Sequence, residues 1–289
     1  MAREVSFSDS RRELETDQGV LRYHEAGEGP TLLMLHGSGP GVTGWRNFRG
    51  ILPTFAEHFR CLVLELPNFG VSDPVDGHPM LTSPGAVTRF LDGLDIESTH
   101  MIGNSMGGIT ALNVAMAQPD RIERIVTVGG VGKNIFSSSP SEGINLLVEF
   151  TEDPTREKLE QWLYSMVHDP ELITGELIEE RWEHATDPAT LEGARRMYGR
   201  EVLKAGLKMM EEMPEPQYWA RLHTVRSPVL LTWGRDDRVS PLDMALVPMR
   251  TIPRAELHVF PQCGHWTMIE QQEAFESVVL GFLTRTDES

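Results

Sequence analysis

The chain has 289 residues, 40% hydrophobic and 24% charged, an ordinary globular composition with room for one large domain or two modest ones. Acids outnumber bases 43 to 26, a formal net charge of −17, which sets nucleic-acid binding aside and slows an anionic ligand unless a local cation offsets the field. No run approaches the roughly 18 apolar residues of a membrane span, so no membrane partner is expected.

Met1 to Leu14 is studded with charge and carries no apolar run of signal-peptide type. Cys61 and Cys263, about 200 positions apart, form no disulfide framework, so a reducing cytoplasm is expected. Thr31–Leu35 is a short apolar run ending at His36-Gly37. Trp45 to Phe59 places Trp45, Phe48, Ile51, Leu52, Phe55 and Phe59 at helical spacing. Cys61–Leu66 reads as a strand and Val87–Leu94 as a helix. His100–Ile102 is strand-like, Met106–Ala117 is a helix stopped by Pro119, and Ile125–Val128 is a strand ending in Gly129-Gly130. Short buried strands alternating with helices predict an α/β fold, a mainly parallel sheet with helices on both faces.

From about Ile135 to Pro216 only helix-period runs are found. Trp162, Leu163 and Met166 share a face there, as do Leu172, Ile173, Leu177 and Trp182. Met209, Met210 and Met213 close the region; these methionines, with Met166 and Met197, suit either the lining of a wide adaptable pocket or the core, and most read as core. Alternation resumes with strands at Pro228–Trp233 and Ala255–Phe260 and helices at Leu242–Met249 and Ala274–Leu283. The expected organisation is a core of residues 1–134 and 217–289 interrupted by a helical insert, 135–216. Inserts of that size sit over the carboxyl ends of the strands, where such sheets bind ligands.

Gly103-Asn104-Ser105-Met106-Gly107 is a G-x-S-x-G between a strand and a helix. That context makes a tight turn that lifts the serine hydroxyl to the top of the sheet. A serine needs a base to take its proton, and in this architecture the acid and then the histidine follow it in the chain. Of ten histidines, His265 is the one between the last strand and the last helix. The loop Trp233-Gly234-Arg235-Asp236-Asp237-Arg238 offers two acids; register favours Asp237, with Asp236 the alternative. An oxyanion hole needs two backbone N–H groups. Met106, after the nucleophile, supplies one. Ser38, with Gly39 beside it, supplies the other from the glycine-rich loop His36–Gly41. The set predicts acyl transfer: Ser105 attacks a carbonyl, His265 acts as base and then acid, and Asp237 orients the imidazole.

At these residues the chain resembles the α/β-hydrolase superfamily over essentially its full length. More narrowly it is similar to the meta-cleavage product hydrolases, carbon–carbon bond hydrolases of bacterial aromatic and steroid ring degradation. The narrower resemblance rests on His36–Gly41 followed by Gly44–Phe48, on Gly103–Gly108, and on Leu172-Ile173-Thr174 continuing to Glu180-Arg181-Trp182. It also rests on Trp233–Arg238 and Cys263–Trp266. It implies an α/β-hydrolase fold with an inserted helical lid and, as partner, a small anionic 2-hydroxy-6-oxo-dienoate substrate. Arg181 then matches the lid arginine that binds the substrate carboxylate, a role suited to a guanidinium fork. The residues alone allow a plainer reading, a solvated Arg181 pairing with Glu176 or Glu180. Asn47 and Asn104 match polar residues around the dienoate, and Trp266 the aromatic residue beside the histidine. The implied reaction is ketonisation of the dienol with His265 as base, then attack at the carbonyl and cleavage. No cofactor and no metal is implied, and a homodimer is the expected assembly. One departure is Glu65-Leu66-Pro67-Asn68-Phe69-Gly70, where the family more often has aspartate and a glycine after the proline. Two other readings compete: a carboxylesterase or lactonase with the same triad, and a catalytically silent binding protein.

Overall fold

The structure is a computed structural model and describes residues 5–212 and 218–286. The chain opens with a helical turn, α1 (Phe7–Ser10), and a hairpin of β1 (Arg11–Thr16) and β2 (Gly19–Ala26). Next come β3 (Thr31–Leu35), two short helices α2 (Gly44–Phe48) and α3 (Leu52–Phe55), and β4 (Arg60–Leu64). They are followed by α4 (Pro79–Gly93), β5 (Thr99–Asn104), α5 (Met106–Ala117) and β6 (Ile122–Val128). The segment before the next strand holds α6 (Glu142–Glu152), α7 (Arg156–Met166), α8 (Gly175–Ala185), α9 (Pro188–Tyr198) and α10 (Arg200–Glu212). The chain then forms β7 (Val229–Gly234), α11 (Leu246–Thr251), β8 (Ala255–Phe260), α12 (Thr267–Glu270) and α13 (Gln272–Leu283). Among the described residues no helix is long and apolar enough to cross a membrane.

Among the described residues, eight strands make one sheet in the order β1-β2-β4-β3-β5-β6-β7-β8. The β1–β2 and β2–β4 pairings are antiparallel and the rest are parallel. Strands β5 and β7 are buried at every position, without the alternation of a half-solvated sheet. Helices cover both faces: α5 packs on β3, β5 and β6 and against α4, while α3 packs against α13. Register then decides where the loops fall. Leu35 pairs with Gly103, Asn104 with Val128, Val128 with Thr232, and Gly234 with Phe260. The carboxyl ends of β3, β5, β6, β7 and β8 therefore lie in a row. The chain runs β3 to β4 on one side and β5 on the other, which makes the end of β3 and β5 a topological switch point.

Several expectations need correction. No strand was expected before Thr31, yet β1 and β2 form the sheet's edge. β1 reads Arg-Arg-Glu-Leu-Glu-Thr and is largely exposed, so it lacks the apolar run that marks a buried strand. Trp45 to Phe59 is two short helices rather than one continuous run. Pro53 restarts the chain at α3 because its missing N–H cannot continue the ladder. Leu172, Ile173, Leu177 and Trp182 do not share one helix face. Leu172 ends a separate 3-10 turn, and Thr174 caps the start of α8 by accepting from Leu177 N–H at 3.2 Å. Met166 and Met197 are buried. Met213 and the boundary expected at residues 216 and 217 lie outside the described residues, and so do the side chains of Met209 and Met210.

Asp243, just after β7, pins the start of the helical segment to the sheet. It accepts from the N–H groups of Ile135, Phe136 and Ser137 at 2.7, 3.0 and 3.2 Å, and also pairs with the Ser137 hydroxyl. Against the cost of desolvation, these bonds hold its carboxyl down at about 2. Asp243→Ala should lower the unfolding free energy by about 1–3 kcal/mol at neutral pH in urea titrations, because three part-buried backbone donors lose a charged acceptor. The folded pKa is depressed, so the wild-type advantage should shrink as pH falls from about 4 towards 2.

Candidate active site

Ser105 caps α5 with φ +52° and ψ −112°, a strained conformation for a residue with a side chain. Two glycines make the turn sterically possible. A Cβ on Gly107 would strike the Leu35 carbonyl, and one on Gly103 would strike the Gly107 backbone. Ser105 N–H donates to Val128 O at 2.8 Å and Ser105 O accepts from Gly108 N–H at 2.9 Å, which fixes the turn between β5, β6 and α5. Met106 opens α5, where the first N–H groups have no acceptor within the helix.

His265 follows β8, and its Nδ1–H donates to Asp237 Oδ2 at 2.7 Å, both side chains being buried. Asp237 Oδ1 accepts from Val239 and Ser240 N–H, each at 2.8 Å, so the carboxylate is held on both oxygens. With the proton on Nδ1, Nε2 of His265 is left as the acceptor. His265 N–H donates to Met166 O at 2.7 Å, tying the loop to the end of α7. The neighbouring Asp236 faces outward, to Arg235 and to His168 at 3.3 Å. Of the two acids considered, the structure brings Asp237 to His265 and keeps Asp236 away. Gly129 and Gly130 let the groups converge: a Cβ on Gly129 would lie 3.1 Å from His265 Cε1, and one on Gly130 would strike Ser105 Cα.

The loop after β3 is held from below. His36 Nδ1–H donates to Gly37 O at 2.6 Å and Nε2 accepts from Leu66 N–H at 2.9 Å. Burial pushes this imidazole down to about 4, so it stays neutral. Gly37 N–H donates to Asn47 Oδ1 at 3.0 Å. Ser38 is buried and its hydroxyl shares a hydrogen bond with Tyr198 of α9, while Gly39 abuts the Trp162 ring of α7. Glu65, beneath the loop, accepts from Gly44 and Trp45 N–H at 2.6 and 3.0 Å.

Arg181 is not a solvated residue of α8. It is 2% exposed, and Glu180 instead pairs with Arg46 and Arg49. Its Nη1 donates to Pro40 O at 3.3 Å and its guanidinium lies 5.2 Å from the Trp266 ring centroid. Nε has no hydrogen-bond partner, and among the described residues no carboxylate comes within ion-pair distance. Burial pushes its pKa down to about 9, which leaves it a cation at neutral pH. Asn47 Nδ2 is likewise buried and unpartnered, and Asn104 Nδ2 donates to Val128 O at 3.3 Å. Ser105, His265, Ser38, Gly39, Asn47, Asn104, Arg181 and Trp266 all line one cavity of about 30 Å³. Asp237 stands behind His265, and Met106 is buried at the start of α5 behind Ser105. Tyr198, Leu147 and Ile144 also line the cavity and were not singled out from sequence, while Trp162 and Met166, named there only as sharing a helix face and as core, line it too. Within their helices they read as ordinary apolar-face residues, with no local signal of a site.

A family model described as alpha/beta hydrolase fold matches residues 30–272. The chain is 38% identical to a 2-hydroxy-6-oxo-6-phenylhexa-2,4-dienoate hydrolase of Burkholderia cepacia over 270 residues, 91% of each chain. It is 37% identical, with the same coverage, to a 2-hydroxy-6-oxononadienedioate/2-hydroxy-6-oxononatrienedioate hydrolase of Comamonas testosteroni. Among solved structures, the meta-cleavage product hydrolase of Pseudomonas fluorescens IP01 superposes with a TM-score of 0.84 at 28% identity, over 94% of this chain and 97% of that one. The fold and the elbow define an α/β hydrolase. Within that class, the chain belongs to the meta-cleavage product hydrolase family.

Burial raises Glu65 to about 7. The folded state therefore holds the proton more tightly than the unfolded chain. That contribution to stability is full below about pH 4.5 and is lost as pH rises through 7. Glu65→Gln removes the ionisation. The stability of the wild type relative to E65Q should fall from pH 5 to pH 7.5 in urea titrations; a constant difference would count against the buried carboxyl.

Proposed function

We propose that this chain hydrolyses the carbon–carbon bond of a 2-hydroxy-6-oxo-hexa-2,4-dienoate-type ring-fission product. The observation that carries this reading is Arg181, a buried cation with no ion-paired carboxylate among the described residues, in the same cavity as Ser105 and His265. A substrate carboxylate would supply the missing partner through a charge-assisted pair. Asn47, with its unpartnered Nδ2, and Asn104 would hold the enol end, and Trp266 would flank it. Nε2 of His265 takes the enol proton and hands it to carbon, which ketonises the dienol and leaves Nε2 free again. Ser105 then attacks the distal carbonyl as His265 takes its proton, and the oxyanion rests on the N–H groups of Met106 and of Ser38 or Gly39. The bond breaks, the stabilised carbanion is protonated, and water releases the acyl group as a carboxylic acid.

A cavity of about 30 Å³ holds roughly two waters. On this reading residues 135–216 are a lid that shifts to admit the substrate. The two buried thiols agree with work in the cytoplasm, and a homodimer follows from the family resemblance. An esterase of the same fold would use the same serine, acid and histidine but would have no use for a buried unpaired guanidinium.

Arg181→Ala separates the two. It should lower kcat/KM for a dienoate by about 10²-fold or more, as expected for loss of one partner of a buried charge pair. Hydrolysis of a neutral nitrophenyl ester should stay within about threefold. An equal fall in both activities would remove the carboxylate role.

A further inference from the structure

One polar group in the wall of the cavity has no part in the proposed reaction. Trp162 of α7 lines the cavity with Ser105, His265, Ser38 and Gly39. Its side chain is buried, and its indole Nε1–H has no hydrogen-bond partner among the described residues. A buried tryptophan normally finds an acceptor for this proton, because an unpaired donor forfeits its hydration and gains nothing in return. Asn47 Nδ2 and Arg181 Nε are unpaired as well, and the proposed reaction gives both residues to the carboxylate and enol end of the substrate. The indole N–H is left without an acceptor from either the protein or that end of the substrate.

The ring edge that carries Nε1 also meets the loop after β3. A Cβ on Gly39 would lie 2.4 Å from Trp162 Cη2 and 2.5 Å from Cζ2. Cζ2 and Nε1 are both bonded to Cε2, so the N–H sits close to the backbone whose Ser38 or Gly39 N–H serves the oxyanion in the proposed reaction. The Trp266 ring packs edge-on against the same indole, with centroids 6.4 Å apart.

α7 belongs to the helical segment, yet its end is tied to the sheet domain. His265 N–H donates to Met166 O at 2.7 Å, and His168 N–H donates to Glu270 Oε2 at 2.7 Å. Gly264 packs closely on Met166 and Val167. Trp162 stands one helical turn before Met166, and both line the cavity. The indole is therefore held in register with His265 by contacts that involve no substrate.

We propose, resting on the acyl-transfer reading of Ser105 and His265, that Trp162 Nε1–H is a further donor to the oxyanion. When Ser105 Oγ bonds the carbonyl carbon, its proton passes to His265 Nε2 and the carbonyl π pair moves onto oxygen. The indole N–H meets that oxygen as its charge grows. A donor already in place and unpaired acts on the transition state more than on the bound substrate.

The test is Trp162→benzothienylalanine in the full chain, which puts sulfur where the N–H stands and keeps the shape of the ring. A nitrophenyl ester has a carbonyl but no enol and no substrate carboxylate. Its kcat should fall by about tenfold or more, the scale of one hydrogen bond to a developing charge, with KM within about threefold. Benzoate formation from 2-hydroxy-6-oxo-6-phenylhexa-2,4-dienoate in a single turnover should slow by a similar factor. The urea midpoint should stay or rise, because the folded protein loses an unpaired donor. Unchanged ester kcat, a loss confined to the dienoate, a rise in KM at constant kcat, or a lower urea midpoint each overturns the inference. Wild-type turnover of the ester without the dienoate removes the carbon–carbon reading and leaves the donor to be judged on the ester. Turnover of neither overturns the acyl-transfer reading and the inference with it.

Discussion

A guanidinium taken out of water and left without a carboxylate costs several kcal/mol, and among the described residues Arg181 is such a group. The Trp266 ring and the Pro40 carbonyl offset part of that cost, and neither neutralises the charge. The surrounding structure holds it in place. Glu180, one residue earlier, bonds Arg46 at 2.8 Å and Arg49 at 3.3 Å, locking α8 to α2 of the sheet domain. The Arg181 backbone packs against Gly41 of the loop after β3. Arg181 is thus fixed by contacts independent of any ligand, and an anion bound beside it, as proposed, would recover the cost of its burial. In a chain of net charge −17, such a fixed cation is also the local feature that can draw an anion inward.

The reactive groups depend on a second constraint, the alignment of five strand ends. Parallel pairing places the loop after β3, the turn at Ser105, the Gly129-Gly130 pair, Asp237 and His265 side by side along one edge of the sheet. Ser105 is then held by the Val128 carbonyl of β6 and His265 by the Met166 carbonyl of α7, while Asp237 is held by the Val239 and Ser240 N–H groups of its own loop. The strained Ser105 conformation persists because Gly103, Gly107 and Gly130 leave no room for the chain to relax and no side chain to obstruct it. Rigid placement of this kind is what the proposed reaction needs, because it would spare Ser105 and His265 reorganisation on reaction.

Much of this was legible in the sequence because each feature has a local cause. The helix Met106–Ala117 falls where apolar spacing and Pro119 put it, and strand β8 runs from Ala255 to Phe260 as its apolar pattern predicts. The order of serine, acid and histidine along the chain picks out Asp237 and His265, which bond to each other, and Ser105, which lines the same cavity as His265. Adjacent Asp236 and Asp237 could be ranked only by motif register, because their difference lies in side-chain direction. Arg181 sits among Glu176, Glu179, Glu180 and Glu183, so helix patterning alone suggests a solvated face. Its burial follows from how α8 docks on Gly41 and Trp266, a long-range contact that family resemblance could anticipate and local pattern could not. The Ser38–Tyr198 bond, spanning 160 positions, and the charged edge strand β1 escaped for the same reason: their causes are tertiary.

The most direct test of carbon–carbon bond hydrolysis is to mix the wild-type protein with 2-hydroxy-6-oxo-6-phenylhexa-2,4-dienoate and follow its visible absorbance while assaying products. Bleaching, with benzoate and the shorter 2-hydroxydienoate formed in equal amounts, is the predicted result. Persistent colour, alongside turnover of a simple nitrophenyl ester by the same sample, would contradict it and make the protein an esterase.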